Sequence, residues 1–160
     1  MIQKGLQVLR RTYTVAPHLS RNKILIDSGA FIALGWQGDQ HHQAAVELYR
    51  KYRKSWQMFT SNHVIAETYT WFRYHATTQN AFVFLDTIER LQSEGRLSII
   101  YAGQEIEEKA KHLLHQHRDL VLSYPDAVTG AIIADLNIFQ VFGFDEHLSV
   151  FGSTLLPGKT

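Results

Sequence analysis

Four of the chain's 15 acids stand where a carboxylate is out of place. Asp27 closes the apolar run Ile24-Leu25-Ile26. Glu67 comes three residues after Val64 and four before Trp71, so on a helix it shares their face. Asp126 falls at the start of the apolar segment "YPDAVTGAIIADLNI", and Asp145 ends the run "FQVFGF". Other acids, such as Glu105, Glu107 and Glu108, belong to a polar helix face, and solvation accounts for them. A dry carboxylate is costly unless it is paired or holds a metal, and no lysine or arginine adjoins any of the four. Brought to one place they would repel, unless a divalent cation joined them. All-oxygen ligation favours Mg²⁺ or Mn²⁺. Each position also suits a structural role. Asp27 can cap the following turn, Glu67 can reach water from a helix rim, and Asp145 can belong to a turn. Ser123 to Asp126 matches an S-x-x-D capping box. That role is compatible with metal binding, because the helix dipole keeps the carboxylate ionised.

The elements that must carry these acids alternate. Ile24 to Ile26 reads as a buried strand. Residues 41–56 read as a helix, with Ala45, Leu48, Tyr49 and Tyr52 on one side. Gln57 to Thr60 is a strand, and Ser61 or Asn62 caps a helix over 63–75. Residues 77–95 form a helix stopped by Gly95. A strand over 96–100 precedes an amphipathic helix over 103–119. Pro125 starts a helix over 124–138, and the last strand spans 139–144. Apolar strands alternating with helices predict a three-layer α/β fold with a mostly parallel sheet. In such sheets ligands gather beyond the carboxyl ends of the strands, where Asp27 and Asp145 are expected.

The blocks "ILIDSGAFIAL", "FTSNHVIAETYTWF", "LSYPDAVTGAIIADL" and "VFGFDEHLSVFG" resemble the four acidic blocks of PIN-domain ribonucleases, in particular the toxins of VapC-like toxin–antitoxin pairs. The likeness runs from about Lys23 to Pro157. It implies a PIN-like α/β fold and a metal-dependent endoribonuclease that hydrolyses RNA phosphodiester bonds with Mg²⁺ or Mn²⁺. The family's catalytic and metal-holding roles fall on Asp27, Glu67, Asp126 and Asp145, and its D-x-H on Asp145-Glu146-His147. The implied partners are an RNA substrate, a small protein antitoxin and a second copy in a homodimer. Two positions depart from the family pattern. Gly143 stands where many members carry Thr or Ser two residues before the last acid, and Pro125 where many carry a hydroxyl. These departures motivate the alternative of a non-catalytic PIN-type scaffold that binds RNA or a protein.

The bulk properties agree with one globular domain. The chain has 160 residues, 45% hydrophobic and 19% charged, with a net charge of +1. Nucleic-acid binding must therefore come from local patches. Arg50, Lys51, Arg53 and Lys54 form one, with Trp56 available for base stacking; a solvated helix end explains the same charges. The absence of cysteine excludes disulfides and thiolate chemistry and fits a reducing cytoplasm. No apolar run reaches the ~18 residues of a membrane span. Residues 1–22, basic and without acids, read as an N-terminal extension before a nuclease domain over 23–160. His112 and His115 share a helix face, but no third ligand is placed to complete a zinc site. Ser28 suits either a turn or a hydrogen bond within the site. The aromatics Tyr69, Trp71, Phe72, Tyr74, Phe82 and Phe84 read as core or oligomer face. Phosphotransfer on a related fold fits poorly. A haloacid-dehalogenase-like site needs a second Asp where Gly29 stands, and a receiver domain needs an acidic pair ahead of Asp27.

Overall fold

The computed structural model describes residues 22–158. In chain order the elements are β1 (Asn22–Ile26), α1 (Ser28–Gly35), α2 (His42–Tyr52), β2 (Trp56–Ser61), α3 (Asn62–His75) and α4 (Thr78–Ser93). There follow β3 (Leu97–Ile100), α5 (Gln104–Gln116), α6 (Tyr124–Leu136), β4 (Gln140–Phe142), a 3-10 helix (Glu146–Phe151) and β5 (Thr154–Leu156). The expected extension over 1–22 lies outside the described residues except for Asn22, with which β1 begins.

The strands form one sheet of order β3-β2-β1-β4-β5, and every pairing is parallel. β1 is central because it can be: Ile24, Leu25 and Ile26 are all buried, as a strand covered on both faces requires. Alternation then sends its side chains to two cores. Ile24 and Ile26 join Met58, Phe72, Phe84 and Phe142 beneath α1 to α4. Leu25 joins Phe59, Val141, Ala127, Val128 and Ile132 on the α5–α6 side. Phe72 and Phe142 are almost wholly enclosed, and burying a side chain of that kind contributes ~1.5–3 kcal/mol. Of the other aromatics expected to pack, Tyr69 and Trp71 are partly buried against the same core, while Tyr74 and Phe82 are exposed.

Several expected boundaries move. The apolar segment after Asp27 forms α1, a helix that its unbroken apolar run does not announce. The helix expected over 41–56 ends at Tyr52. Trp56 therefore belongs to β2 and is buried, 4% exposed, with its ring stacked on Tyr52 and tilted against Phe142. It is not available for base stacking. Ser61, and not Asn62, caps α3, its hydroxyl accepting from the Val64 N–H at 3.1 Å. β4 stops at Phe142, so Asp145 follows the strand by three residues and instead caps the 3-10 helix. That helix packs on α6 at Gly130, where a Cβ would stand 2.6 Å from the Phe151 ring. Only glycine permits so close an approach, and it fixes the segment that begins with Asp145.

Candidate active site

The four acids arrive at the carboxyl end of the sheet by separate local devices. Asp27 leaves β1 with its N–H donating to the Phe142 carbonyl at 2.9 Å. Thr60 Oγ1 clamps the preceding residue, donating to the Ile26 carbonyl at 3.0 Å. Asp27 is also the N-cap of α1, accepting from the Gly29 N–H at 3.3 Å. Glu67 stands on α3, whose start is set by the Ser61 cap. Asp126 is held in the anticipated capping box. Its Oδ2 accepts from the Ser123 N–H at 2.7 Å, and Ser123 Oγ accepts from the Asp126 N–H at 3.2 Å. Asp145 Oδ1 accepts from the His147 N–H at 2.9 Å and lies 3.0 Å from His147 Nδ1. Three of the four carboxylates thus serve helix starts and face one space at once.

That space is a cleft of about 390 Å³ lined by Asp27, Glu67, Asp126 and Asp145 together with Ser28 and the loop residues Val121 to Ser123. Its electrostatics follow from burial and like charge. Burial pushes the Asp27 carboxyl up to about 7, and the nearby Asp126 and Glu67 add to the rise, against hydrogen bonds from the Gly29 and Ser28 backbone. Glu67 is raised as well, first by burial and then by Asp126 and Asp145, while the Ser28 hydroxyl opposes the shift. No cation is among the groups acting on either. Ser28 therefore does more than make a turn: it lines the cleft and opposes the Glu67 shift there. Perturbed carboxyls in a cleft mark a functional centre.

The donor set is chemically suited to a hard divalent cation, being all oxygen and crowded with like charge. Asp27, Glu67, Asp126 and Asp145 all line the cleft that would receive it. In this conformation no three His, Asp or Glu side chains among the described residues stand close enough to ligate one ion together. Two of the carboxylates are turned onto backbone N–H groups of their own segments, and a third onto its capping box.

Sequence reasoning missed two features here. Val121 and Leu122 line the cleft, and Val121 is 88% exposed; a polar-to-apolar loop before the third acid is the only signal they carry. Glu107, read as a solvated helix acid, is engaged: it accepts from His63 at 2.7 Å and from the Tyr124 hydroxyl. Arg50, Lys51, Arg53 and Lys54 do not line the cleft. Arg50 and Arg53 rim a separate apolar cavity of about 590 Å³, with Arg90 and Arg96 on its other side. Gly143 lies against Asp27, and a Cβ there would stand 3.2 Å from the Asp27 Cβ. The hydroxyl residue usual at this position would have to displace that carboxylate slightly, so glycine and the present Asp27 placement go together.

Comparison with known proteins agrees with the geometry. The chain is 29% identical over 133 residues to a protein of Mycobacterium tuberculosis named 23S rRNA-specific endonuclease VapC20, covering 81% of this chain and 94% of that one. It is 27% identical over 129 residues to a VapC ribonuclease of Archaeoglobus fulgidus, covering 79% of each. The crystal structure of M. tuberculosis VapC20, a sarcin-ricin loop cleaving toxin, superposes with a TM-score of 0.74 at 26% identity, over 82% of this chain and 96% of that one. VapBC2 from Rickettsia felis shares the fold, with a TM-score of 0.61 at 14% identity over 83% and 96% of the respective chains. The PIN domain model matches residues 24–152, a span that starts in β1, ends just past the 3-10 helix and takes in all four acids. By that match, and by the sheet order and the carboxylate cleft it encloses, the chain belongs to the PIN domain family.

Proposed function

We propose that the protein is a toxin-type endoribonuclease that hydrolyses RNA phosphodiester bonds with Mg²⁺ or Mn²⁺ bound among Asp27, Glu67, Asp126 and Asp145. The observation that carries this reading is the gathering of four carboxylates around one cleft, where burial and like charge raise the carboxyls of Asp27 and Glu67. The naming of the VapC relatives as ribonucleases supports it, and so does the hard, oxygen-only donor set. When bound, the divalent ion supplies charge stabilisation at the phosphoryl group and a lowered pKa for attacking water.

The chain's own residues do the rest. Asp27, Asp126 and Asp145 hold the ion. The starts of the helices behind Asp27 and Asp126 aim these carboxylates at the cleft. Glu67 orients the attacking water and accepts its proton at a carboxylate oxygen, with the Ser28 hydroxyl fixing the other side of the group. Val121 and Leu122 give one wall of the cleft an apolar surface. The same reading carries a small protein antitoxin and a homodimer as partners.

The test is cleavage of RNA by purified protein, starting with a sarcin–ricin-loop hairpin, the substrate class in the name of the M. tuberculosis relative. Mn²⁺ should support cleavage and EDTA should stop it. The non-catalytic scaffold remains the second reading, favoured by one observation: among the described residues no three carboxylates stand within ligating reach of one ion. Calorimetry separates the two. RNA binding without any Mn²⁺ binding in the millimolar range would establish the scaffold.

A further inference from the structure

Hydrolysis by carboxylate-held metal makes no use of the ribose 2′-hydroxyl, so a nuclease of this kind needs a separate group to tell RNA from DNA. Beside the cleft stands a side-chain trio that the proposed chemistry does not employ. Glu107, in the first turn of α5, uses one carboxylate oxygen for His63 Nε2 at 2.7 Å and the other for the Tyr124 hydroxyl. The Tyr124 hydroxyl, then the His63 ring, hold the Glu107 carboxyl below its usual range, so it is ionised at neutral pH. An ionised carboxylate only accepts. Nε2 of His63 therefore carries the proton, and in the neutral ring Nδ1 presents a lone pair. Nδ1 has no hydrogen-bond partner among the described residues, and the side chain remains 26% exposed.

The position of the trio fits a substrate contact. His63 precedes Glu67 by one helical turn on the same face of α3, about 5–6 Å between Cβ atoms. Tyr124 directly follows Ser123 of the cleft wall, and its ring centroid is 5.7 Å from that of His63. Asn62, next to His63, bonds the Ala102 N–H at 3.0 Å, which ties the exits of β2 and β3 together under the pair.

We propose that His63, fixed by Glu107 and Tyr124, accepts a hydrogen bond at Nδ1 from the 2′-hydroxyl of a nucleotide flanking the scissile phosphate, and so selects RNA over DNA. This rests on the ribonuclease reading. The test uses the RNA hairpin the parent protein cleaves, and a series carrying a single 2′-deoxy substitution walked through the nucleotides around the cleavage position. One substitution should raise the parent's KM about fivefold, the worth of one ordinary hydrogen bond. His63→Ala should raise KM on the all-RNA hairpin by a similar factor, keep kcat within about twofold, and lose sensitivity to that one substitution. Glu107→Ala, which frees the ring, should shift KM in the same direction. If His63→Ala melts well below the parent, His63→Gln serves instead. An unchanged KM in the variants, or a deoxy penalty identical in variant and parent at every position, overturns the proposal while leaving the ribonuclease reading intact. A parent that neither binds nor cleaves RNA with Mn²⁺ overturns both.

Discussion

Asp126 performs two jobs that a substitution can separate. Its carboxylate closes the capping box of α6 through the Ser123 N–H and contributes charge to the cleft. Asparagine keeps an acceptor oxygen in the same place but removes the charge. Asp126→Asn should therefore hold stability within about 0.5 kcal/mol of the parent, whereas Asp126→Ala should lose about 1 kcal/mol, the usual worth of such a cap. Both should lose RNA cleavage. Urea melts beside cleavage assays give the comparison; an asparagine variant that cleaves at the parental rate would reduce Asp126 to a capping residue. The same doubling explains why single positions were ambiguous in the sequence. The capping readings of Asp27 and Asp126 describe what these side chains do, and the proposed site role is compatible with them, because each cap leaves its carboxylate facing the cleft.

The elements were legible to different degrees, for physical reasons. β1, β3, α3 and α6 follow from apolar runs and their caps. α1 did not, because Ala30, Phe31, Ile32 and Ala33 are all buried, and a segment apolar all round shows no helical period to read. β5 is three residues long and escaped notice, although it completes the sheet beside β4. Trp56 was misplaced because a basic helix end runs into a strand without a turn signal; the tryptophan's own burial sets the boundary. The four acids were legible because charge at the end of an apolar run is rare. The His63–Glu107–Tyr124 trio was not, because its two bonded pairs lie 44 and 17 residues apart and nothing local marks their meeting. At this scale the Ser61 cap is the critical hinge between strand and site. Its buried hydroxyl starts α3 and so sets the height of Glu67. Ser61→Ala should cost ~1–2 kcal/mol of stability and should also depress kcat, since Glu67 would lose its registration against Ser28. A variant equally destabilised but with parental kcat would uncouple the cap from the site.

For the whole molecule, the crowded carboxylates make metal-free stability fall with rising pH. An acid whose folded-state pKa lies above its unfolded value binds more protons when folded, so the stability it allows is present in acid and is lost as pH climbs toward the folded pKa. For Asp27 that window runs from 3.8 to about 7, and Glu67 shifts in the same direction. In EDTA the melting temperature should fall between pH 5 and 8 by on the order of 5 °C, and Asp27→Asn should flatten that slope. Mn²⁺ at about 100-fold above its Kd should restore ~2.7 kcal/mol to the parent by binding the folded state. A parent whose melting temperature rises through the same pH range in EDTA would contradict the buried, unbalanced carboxylate. The central claim is that the four acids act as one centre on RNA, and single-turnover cleavage of the RNA hairpin in Mn²⁺ by Asp27→Asn, Glu67→Gln, Asp126→Asn and Asp145→Asn measures it directly. Each variant should retain the parental fold and cleave at least about 100-fold more slowly, the scale expected when one group of a catalytic charge set is lost; any one of the four cleaving at the parental rate would contradict the four-carboxylate centre.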